Sequence, residues 1–364
     1  FSVLIDKNSF NADVGRRTCT ICGRSAIMLR CQNEDPATGK ICGGRTEMSG
    51  GEKEGSRRRG VAQNIRFASF MEEARLSLGI DVLPKSIKGQ KKLMSRDQTP
   101  EALEKGILRA LHGVPVFRDG TVRFDMSDVP TTHFTPTEVG VAWPRLFDLG
   151  YTHDIDGKPL NSDEQMLEIY PQDFIASKSA ADFFLRTSHY IDDLLERYYG
   201  LESYYQAETI DDLVGHLIIG LAPHTSGGVL SRFIGWSDSS GGFAHPLFHA
   251  SKRRNCDGDE DAIMLLLDGL LNFSKHILPA NRGGQMDAPL VLTTRLNPTE
   301  IDKEALNVDS AWYYPSTFYE SSKQQVHPKE ILNMMDIVER RLEHISAVRG
   351  YGFTHDTKRI DEGP

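Results

Sequence analysis

Between Lys252 and Asp261 the chain reads Lys-Arg-Arg-Asn-Cys-Asp-Gly-Asp-Glu-Asp, three cationic side chains and four carboxylates within ten residues. Asp257, Asp259 and Asp261 alternate, so in an extended segment all three could point the same way. Two carboxylates held about 4 Å apart repel by roughly 4 kcal/mol at an effective dielectric near 20. A chain that gathers three of them therefore calls for a cation. Oxygen-only ligands favour Mg²⁺ over softer metals, and the adjoining Lys252, Arg253 and Arg254 point to phosphate as a second guest. Two plainer readings compete. Acidic residues ahead of a helix commonly complement its dipole, and a carboxylate-rich loop can bind calcium. An EF-hand loop counted from Asp257 needs Gly at its sixth position and Glu at its twelfth, where this chain has Ala262 and Asp268. The calcium reading fails.

A second chemistry-bearing group lies near the start. Cys19 and Cys22 form a Cys-x2-Cys pair followed by Gly23, and Cys31 and Cys42 follow, the latter ahead of Gly43-Gly44. Four thiolates within 24 residues suit tetrahedral zinc, and glycine after the knuckle lets backbone amides turn toward sulfur. The second pair is split by ten residues, including Asp35-Pro36-Ala37-Thr38-Gly39, which reads as a loop inserted into a knuckle. Structural zinc is the expectation; unpaired or redox-active cysteines are the alternative. A closed four-sulfur site leaves no open position for catalysis. Cys256 stands apart and reads as a small packed thiol rather than a nucleophile, because no base accompanies it.

At 364 residues and 39% hydrophobic content the chain can bury a core of two or three domains. No apolar stretch of about 18 residues exists to span a membrane. Clustered cysteines fit a reducing, cytoplasmic compartment better than a disulfide scaffold. The net charge of −9 opposes non-specific coating of nucleic acid, yet it leaves room for a local basic channel. Basic runs occur at Arg57-Arg58-Arg59, at 88–92 and at 252–254. The chain opens on Phe1 and closes on Asp361-Glu362-Gly363-Pro364, which reads as a fragment of a longer protein.

The elements that must hold these groups alternate between helix and strand. Helices are expected over 65–78, 100–111 (Thr99 as N-cap, Pro100 first), 180–199, 210–219, 261–276 and 328–348. A hairpin is expected over 114–124 around Asp119-Gly120, with strands over 229–236 and 290–296. Residues 49–56 have linker composition. The whole is a mixed α/β (α+β) chain.

The run Ala244 to Asp261, with Arg282-Gly283-Gly284-Gln285-Met286-Asp287-Ala288-Pro289-Leu290, Ala222-Pro223-His224-Thr225-Ser226 and Leu103 to Ala110, closely resembles the archaeal D-family DNA polymerase large subunit. The likeness runs from about 80 to 330. It implies a catalytic core of two double-psi β-barrels similar to that of multisubunit RNA polymerases, with helical insertions and a small zinc-binding module. The expected divisions are 1–55 for the zinc module, 56–215 for a mixed region linking the barrels, 216–300 for the barrel carrying the aspartate loop, and 301–364 for a C-terminal helical region. The family's two metal-binding aspartates map onto Asp257 and Asp259, with Asp261 as a third catalytic candidate or a helix cap. The partner barrel's basic residues are not identifiable in this chain.

The implied reaction is attack of a primer 3′-hydroxyl on the α-phosphate of a deoxynucleotide, with two Mg²⁺ ions held by Asp257 and Asp259. Lys252, Arg253 and Arg254 would neutralise triphosphate or primer, and Asn255 would orient the loop against them. Arg282-Gly283-Gly284 either turns amides toward phosphate or makes a plain turn. Lys88, with Lys91 and Lys92, is a candidate contact to the DNA backbone. His245 and His249 either pack or touch DNA. The family works as a heterodimer with a small exonuclease subunit and engages a sliding clamp, although no clamp-binding peptide is recognisable here. Two alternatives remain: an RNA-polymerase-like enzyme, opposed by Gly258 where that motif has Phe, and a zinc-stabilised nucleic-acid-binding module whose acidic loop is structural.

Overall fold

The computed structural model describes residues 9–15, 17–48, 61–88, 101–253, 258–275, 278, 282–301, 306–307, 309–342 and 347–352. The chain divides into two compact units, one from 1–123, 186–206 and 267–286, the other from 124–185, 207–266 and 287–364.

The first unit opens with the short strands β1 (Phe10–Val14), β2 (Arg17–Cys19), β3 (Ser25–Ala26), β4 (Thr46–Met48) and β5 (Val61–Ile65). β2 is the middle of an antiparallel sheet with β3 and β4, and β1 pairs antiparallel with β5. Val14, Ile27 and Ile65 make a small core. Helix α1 (Phe67–Ser77), expected over 65–78, buries Phe67, Met71 and Ala74 at about one per turn. It stops where Gly79 takes φ +64° and the Ile80 N–H returns to the Arg75 carbonyl at 3.1 Å. Helix α2 (Leu103–Leu111) starts from Ala102; the expected cap, Thr99 and Pro100, lies outside the described residues.

The hairpin expected over 114–124 forms only its turn. The Phe117 N–H bonds the Thr121 carbonyl at 2.7 Å, but no ladder flanks it because side chains take the backbone donors. Asp119 accepts the Thr121 N–H at 3.0 Å, and Asp268 accepts the Val122 N–H at 2.7 Å. Beside this turn Arg109 is fully buried, with its guanidinium on Glu101 at 2.7 and 2.5 Å and on the Gly120 carbonyl at 2.7 Å.

Further along the chain run β6 (Phe124–Pro130), β7 (His133–Phe134), α3 (Trp143–Asp148), β8 (Leu167–Glu168), β9 (Asp173–Ser177), α4 (Ala181–Asp193), β10 (Leu217–Leu221), β11 (Gly227–Ser237) and β12 (Gly242–Ala244). Then come α5 (Pro246–Ser251), β13 (Glu260–Leu265), α6 (Leu266–Asn272), β14 (Val291–Thr293) and α7 (Ser316–Lys323). Six strands close into a barrel in the order β10-β13-β6-β12-β9-β11, because β11 pairs with β10 as well as with β9. Closure leaves no edge in the ring, and β14 adds parallel to β11. Phe174, Phe233, Ile234, Ile263 and Leu265 are among its buried side chains, with Phe184 meeting Phe233 edge-on at 5.0 Å. Gly235 sits at a bulge in β11, where a Cβ would come 2.6 Å from the Val139 carbonyl. The mixed α/β class is as expected. The expected barrel span of 216–300 holds β10, β11, β12 and β13, but β6 and β9 enter the ring from earlier in the chain.

Three expected helices are corrected. Residues 210–219 form a short 3-10 turn, Ile210–Leu213, and then strand β10, whose apolar run pairs on both sides. Residues 261–276 begin as β13 and become helical only at Leu266. A buried strand and a buried helix share the same unbroken apolar run, so periodicity does not separate them. Over 328–341 the backbone makes three 3-10 turns instead of one helix. Between them Asp336 is held by 309–310: its N–H meets Asp309 Oδ1 at 3.0 Å and its carbonyl accepts the Ser310 N–H at 2.8 Å. No helix among the described residues is long and apolar enough to cross a membrane.

Candidate active site

The aspartate loop joins α5 to β13, both in the barrel unit. Helix α5 is short but well started. Pro246 occupies its first turn, and the His245 ring accepts the Leu247 N–H at 3.0 Å. His245 is fully buried, edge-on to Tyr351 at 4.5 Å, and burial pulls its pKa down to about 3. The helix can lie close to β10 because Gly220 faces it. A Cβ there would meet the Phe248 ring at 2.7 Å and the Lys252 stem at 3.4 Å.

The chain turns out of α5 at Arg253, which has φ +58° and is exposed, and turns back at Gly258, with φ +84°. Asp259 is exposed, and its carbonyl accepts the Asp128 N–H at 2.7 Å, which ties the returning chain to β6. β13 then pairs with β6, Glu260 opposite Ser127 and Asp261 opposite Met126. Arg254, Asn255, Cys256 and Asp257 lie outside the described residues. The alternating aspartates therefore do not share one environment: Asp259 faces solvent, whereas Asp261 is 1% exposed.

Asp261 belongs to a buried cluster with Asp128, His249 and Lys252, each at most 1% exposed. His249 Nδ1 stands 3.6 Å from an oxygen of Asp128 and 3.6 Å from one of Asp261. Its Nε2 lies 3.1 Å from the Val129 carbonyl, so the Nε2–H donates there and Nδ1 is left as an acceptor. Burial, and then the Lys252 charge, hold the imidazole well below its ordinary pKa, so it is neutral. The Lys252 ammonium contacts Asp261 Oδ2, lies 3.3 Å from His249 Nδ1 and sits 4.5 Å above the Phe248 ring. Asp128, His249 and Asp261 are close enough together to hold a metal ion, but the ammonium of Lys252 already stands among them. Removing one partner of so buried an ion pair costs about 3–5 kcal/mol. Of the cations expected to neutralise triphosphate or primer, Arg253 is exposed and Lys252 is internal.

Neither Asp128 nor His249 was legible as part of this cluster. Asp128 sits in Phe-Asp-Met-Ser-Asp-Val-Pro, whose local pattern carries no mark of a buried acid, and its partners come from distant stretches of chain. Of the other segments that carried the family resemblance, 222–226 meets Asp287. Asp287 accepts the His224 N–H at 2.5 Å and donates its own N–H to the Thr225 carbonyl at 2.9 Å. Arg282 starts a 3-10 turn, Arg282–Gln285, and open space surrounds Gly283. Lys88 is exposed, with its backbone N–H on the Gly106 carbonyl at 3.0 Å.

In the first unit the four cysteines converge, their sulfurs all within 4.8 Å of one another. Cys19 and Cys42 are 3.7 Å apart and Cys22 and Cys31 3.6 Å apart. A tetrahedron of about 2.3 Å zinc–sulfur bonds has edges of about 3.8 Å, so this donor set fits zinc. Gly23 and Gly43 take φ +69° and +63°, and a Cβ on Gly44 would strike the Cys19 sulfur at 2.8 Å. The N–H groups of Ile21 and Cys22 approach Cys19 Sγ at 3.4 and 3.5 Å. Hydrogen bonding from the Arg24 backbone draws the Cys22 thiol down to about 6, while burial raises Cys31 to about 11.

Residues 81–364 match the family model described as DNA polymerase II large subunit DP2, catalytic domain. The DNA polymerase II large subunit of Methanococcoides burtonii is 50% identical over 357 residues, 97% of this chain and 31% of that protein. That of Archaeoglobus fulgidus is 46% identical over 375 residues, covering 98% of this chain and 32% of its own length. The Pyrococcus furiosus large subunit is 54% identical over 286 residues, 79% of this chain and 22% of that protein. The closed barrel and its acidic loop thus belong to the class of DNA polymerase catalytic domains. The chain is a member of the archaeal DNA polymerase II large subunit family, and it spans about a third of the length of the Methanococcoides and Archaeoglobus relatives.

Proposed function

We propose that this chain carries the nucleotidyl-transfer site of a replicative DNA-directed DNA polymerase, with Asp257 and Asp259 as its paired metal ligands. The observation that carries the reading is Asp259: an exposed carboxylate on a loop pinned by the Asp128–Asp259 backbone hydrogen bond, within a chain of this family. Two Mg²⁺ ions, when bound, would supply charge neutralisation at the attacking and leaving oxygens. Arg253, exposed at the loop's start, and Arg254 are placed by sequence to take phosphate charge, and Asn255 to order the loop between them. Arg282 and Lys88 remain proposed contacts to DNA. The barrel is read as one of a double-psi pair, the cysteine quartet as a structural zinc site within 1–55, and 56–215, 216–300 and 301–364 as the remaining functional divisions.

Primer–template DNA and deoxynucleotides are the proposed substrates. A small exonuclease subunit and a sliding clamp are proposed partners of the full-length protein, and the cytoplasm its location. The test is Asp257→Ala with Asp259→Ala in the full-length enzyme paired with its small subunit. Primer extension should fall by more than about 100-fold, beyond what loss of an outer hydrogen-bonding partner costs. Synthesis that survives the double substitution would show the loop to be structural.

A further inference from the structure

We propose that Lys252 and Asp261, seated on His249 and Asp128, form an internal clasp that ties α5 to β13 and so fixes the position of Asp259. In this assignment both are positioning residues, and neither touches phosphate or metal. The inference deepens the polymerase reading above and rests on it.

The clasp joins the two ends of the loop. Lys252 directly follows α5 and Asp261 is the second residue of β13, so their ion pair spans the whole acidic segment between. Both side chains are 1% exposed, which removes them from any surface that DNA or nucleotide could reach. The ammonium has the acceptors a buried Lys needs: Asp261 Oδ2 in contact and His249 Nδ1 at 3.3 Å, with the Phe248 ring 4.5 Å beneath it. His249 is oriented for this by its Nε2–H on the Val129 carbonyl at 3.1 Å. Asp128, 3.6 Å from the same Nδ1, adds a carboxylate on that side, and its backbone N–H holds Asp259 at 2.7 Å. One residue thus links the buried cluster to the backbone of a proposed ligand. Gly220 makes the seat possible, since any Cβ there would press on Phe248 and on the Lys252 stem. Arg253 and Gly258, both at positive φ, are the points where the chain leaves and rejoins the clasped ends.

Groups that orient metal ligands from behind govern how well the metal binds. Losing one should weaken metal use without creating a defect in nucleotide contact. The experiment compares Lys252→Met, Asp261→Asn and the double variant in the full-length polymerase with its small subunit. It reads the Mg²⁺ concentration for half-maximal primer extension, the deoxynucleotide KM at saturating Mg²⁺, and Mn²⁺ binding by paramagnetic resonance without nucleotide. Each single variant should raise the half-activating Mg²⁺ roughly 10-fold and weaken Mn²⁺ binding in parallel, with KM held within about 2-fold. The double variant removes both members of the ion pair together, so its defect should be smaller than the product of the two single defects.

A raised KM with an unchanged Mg²⁺ requirement in Lys252→Met would overturn the clasp in favour of a phosphate contact. Strictly multiplicative defects would overturn it in favour of two independent roles. If the single variants do not fold, the double variant decides: a wild-type Mg²⁺ requirement sinks the proposal and a raised one supports it. The polymerase reading fails separately, through synthesis that persists in the Asp257→Ala, Asp259→Ala enzyme.

Discussion

The cysteine quartet and the buried cluster under the aspartate loop both gather ionisable groups at metal-binding distance. They differ in what stands at the centre. The four sulfurs stand at tetrahedral zinc spacing, with pair distances of 3.7 and 3.6 Å, and the one cation that reaches them among the described residues, Arg24, bonds Cys22. The two carboxylates and the imidazole surround an ammonium supplied by the chain itself. Spacing of donors is therefore only half of a metal site. A buried cluster that carries its own cation is complete as folded, while a cluster of thiols must give up protons and take an ion from solution.

The largest expected effect breaks this contrast at the cysteine end. Structural zinc in small modules contributes about 10–16 kcal/mol of binding free energy, most of which is folding free energy. Cys22→Ser should therefore release zinc and open residues 17–48 to protease, while Asp128→Asn should leave the zinc content unchanged. Metal analysis after dialysis, with limited proteolysis, checks both. Zinc that follows Asp128 instead of Cys22 would invert the comparison. Because burial raises the Cys31 thiol to about 11, zinc uptake must expel that proton, and affinity should fall as pH drops.

The second effect lies beside the buried cluster. His245 is neutral when folded, held down to about 3 by burial, against an ordinary value near 6.5. A depressed folded pKa gives stability that is present above the unfolded pKa and is lost as pH falls through the range between the two values. Between pH 6.5 and 5 the barrel unit should lose about 2 kcal/mol from this residue, at about 1.4 kcal/mol per unit. His245→Asn keeps an acceptor for the Leu247 N–H and removes the titration. Denaturant melts at pH 7 and pH 5 should then differ less in the variant than in the native protein. An equal acid loss in both would show that His245 is not the group responsible.

The two regions were also unequally legible in the sequence. The cysteines announce themselves because their ligands lie within a short stretch, and knuckle glycines mark the turns. The aspartate loop announces itself through charge density and through residues shared with a polymerase family. The device behind the loop was hidden for physical reasons. Asp128 and Asp261 meet only because β6 pairs with β13, and β13 was itself read as helix from its Ala262-Ile263-Met264-Leu265 run. A cation that looked like part of a phosphate-binding triplet, Lys252, turns inward because Gly220 leaves room for it. Local pattern reports the types of residues available; strand pairing decides which of them meet.

The smallest expected effect tests whether the first unit has a charge that resembles the buried cluster but lacks its internal cation. Asp268 is fully buried on α6, accepts the Val122 N–H at 2.7 Å and the Asn272 amide at 2.8 Å, and burial raises its pKa to about 7. A raised folded pKa contributes stability that is full below the unfolded value and is lost as pH rises through about 7, the opposite sign to His245. From pH 5 to pH 6 the loss from this residue should be about 1 kcal/mol. Asp268→Asn keeps an oxygen for the Val122 N–H, and its new amide can donate to Asn272 Oδ1, which has no hydrogen-bond partner among the described residues. Across pH 5–6 the variant should therefore gain about 1 kcal/mol relative to the native protein as pH rises, read by denaturant melts. If the two proteins change in parallel, Arg109 and its neighbours neutralise Asp268 as fully as Lys252 neutralises Asp261, and the two buried carboxylates are alike after all.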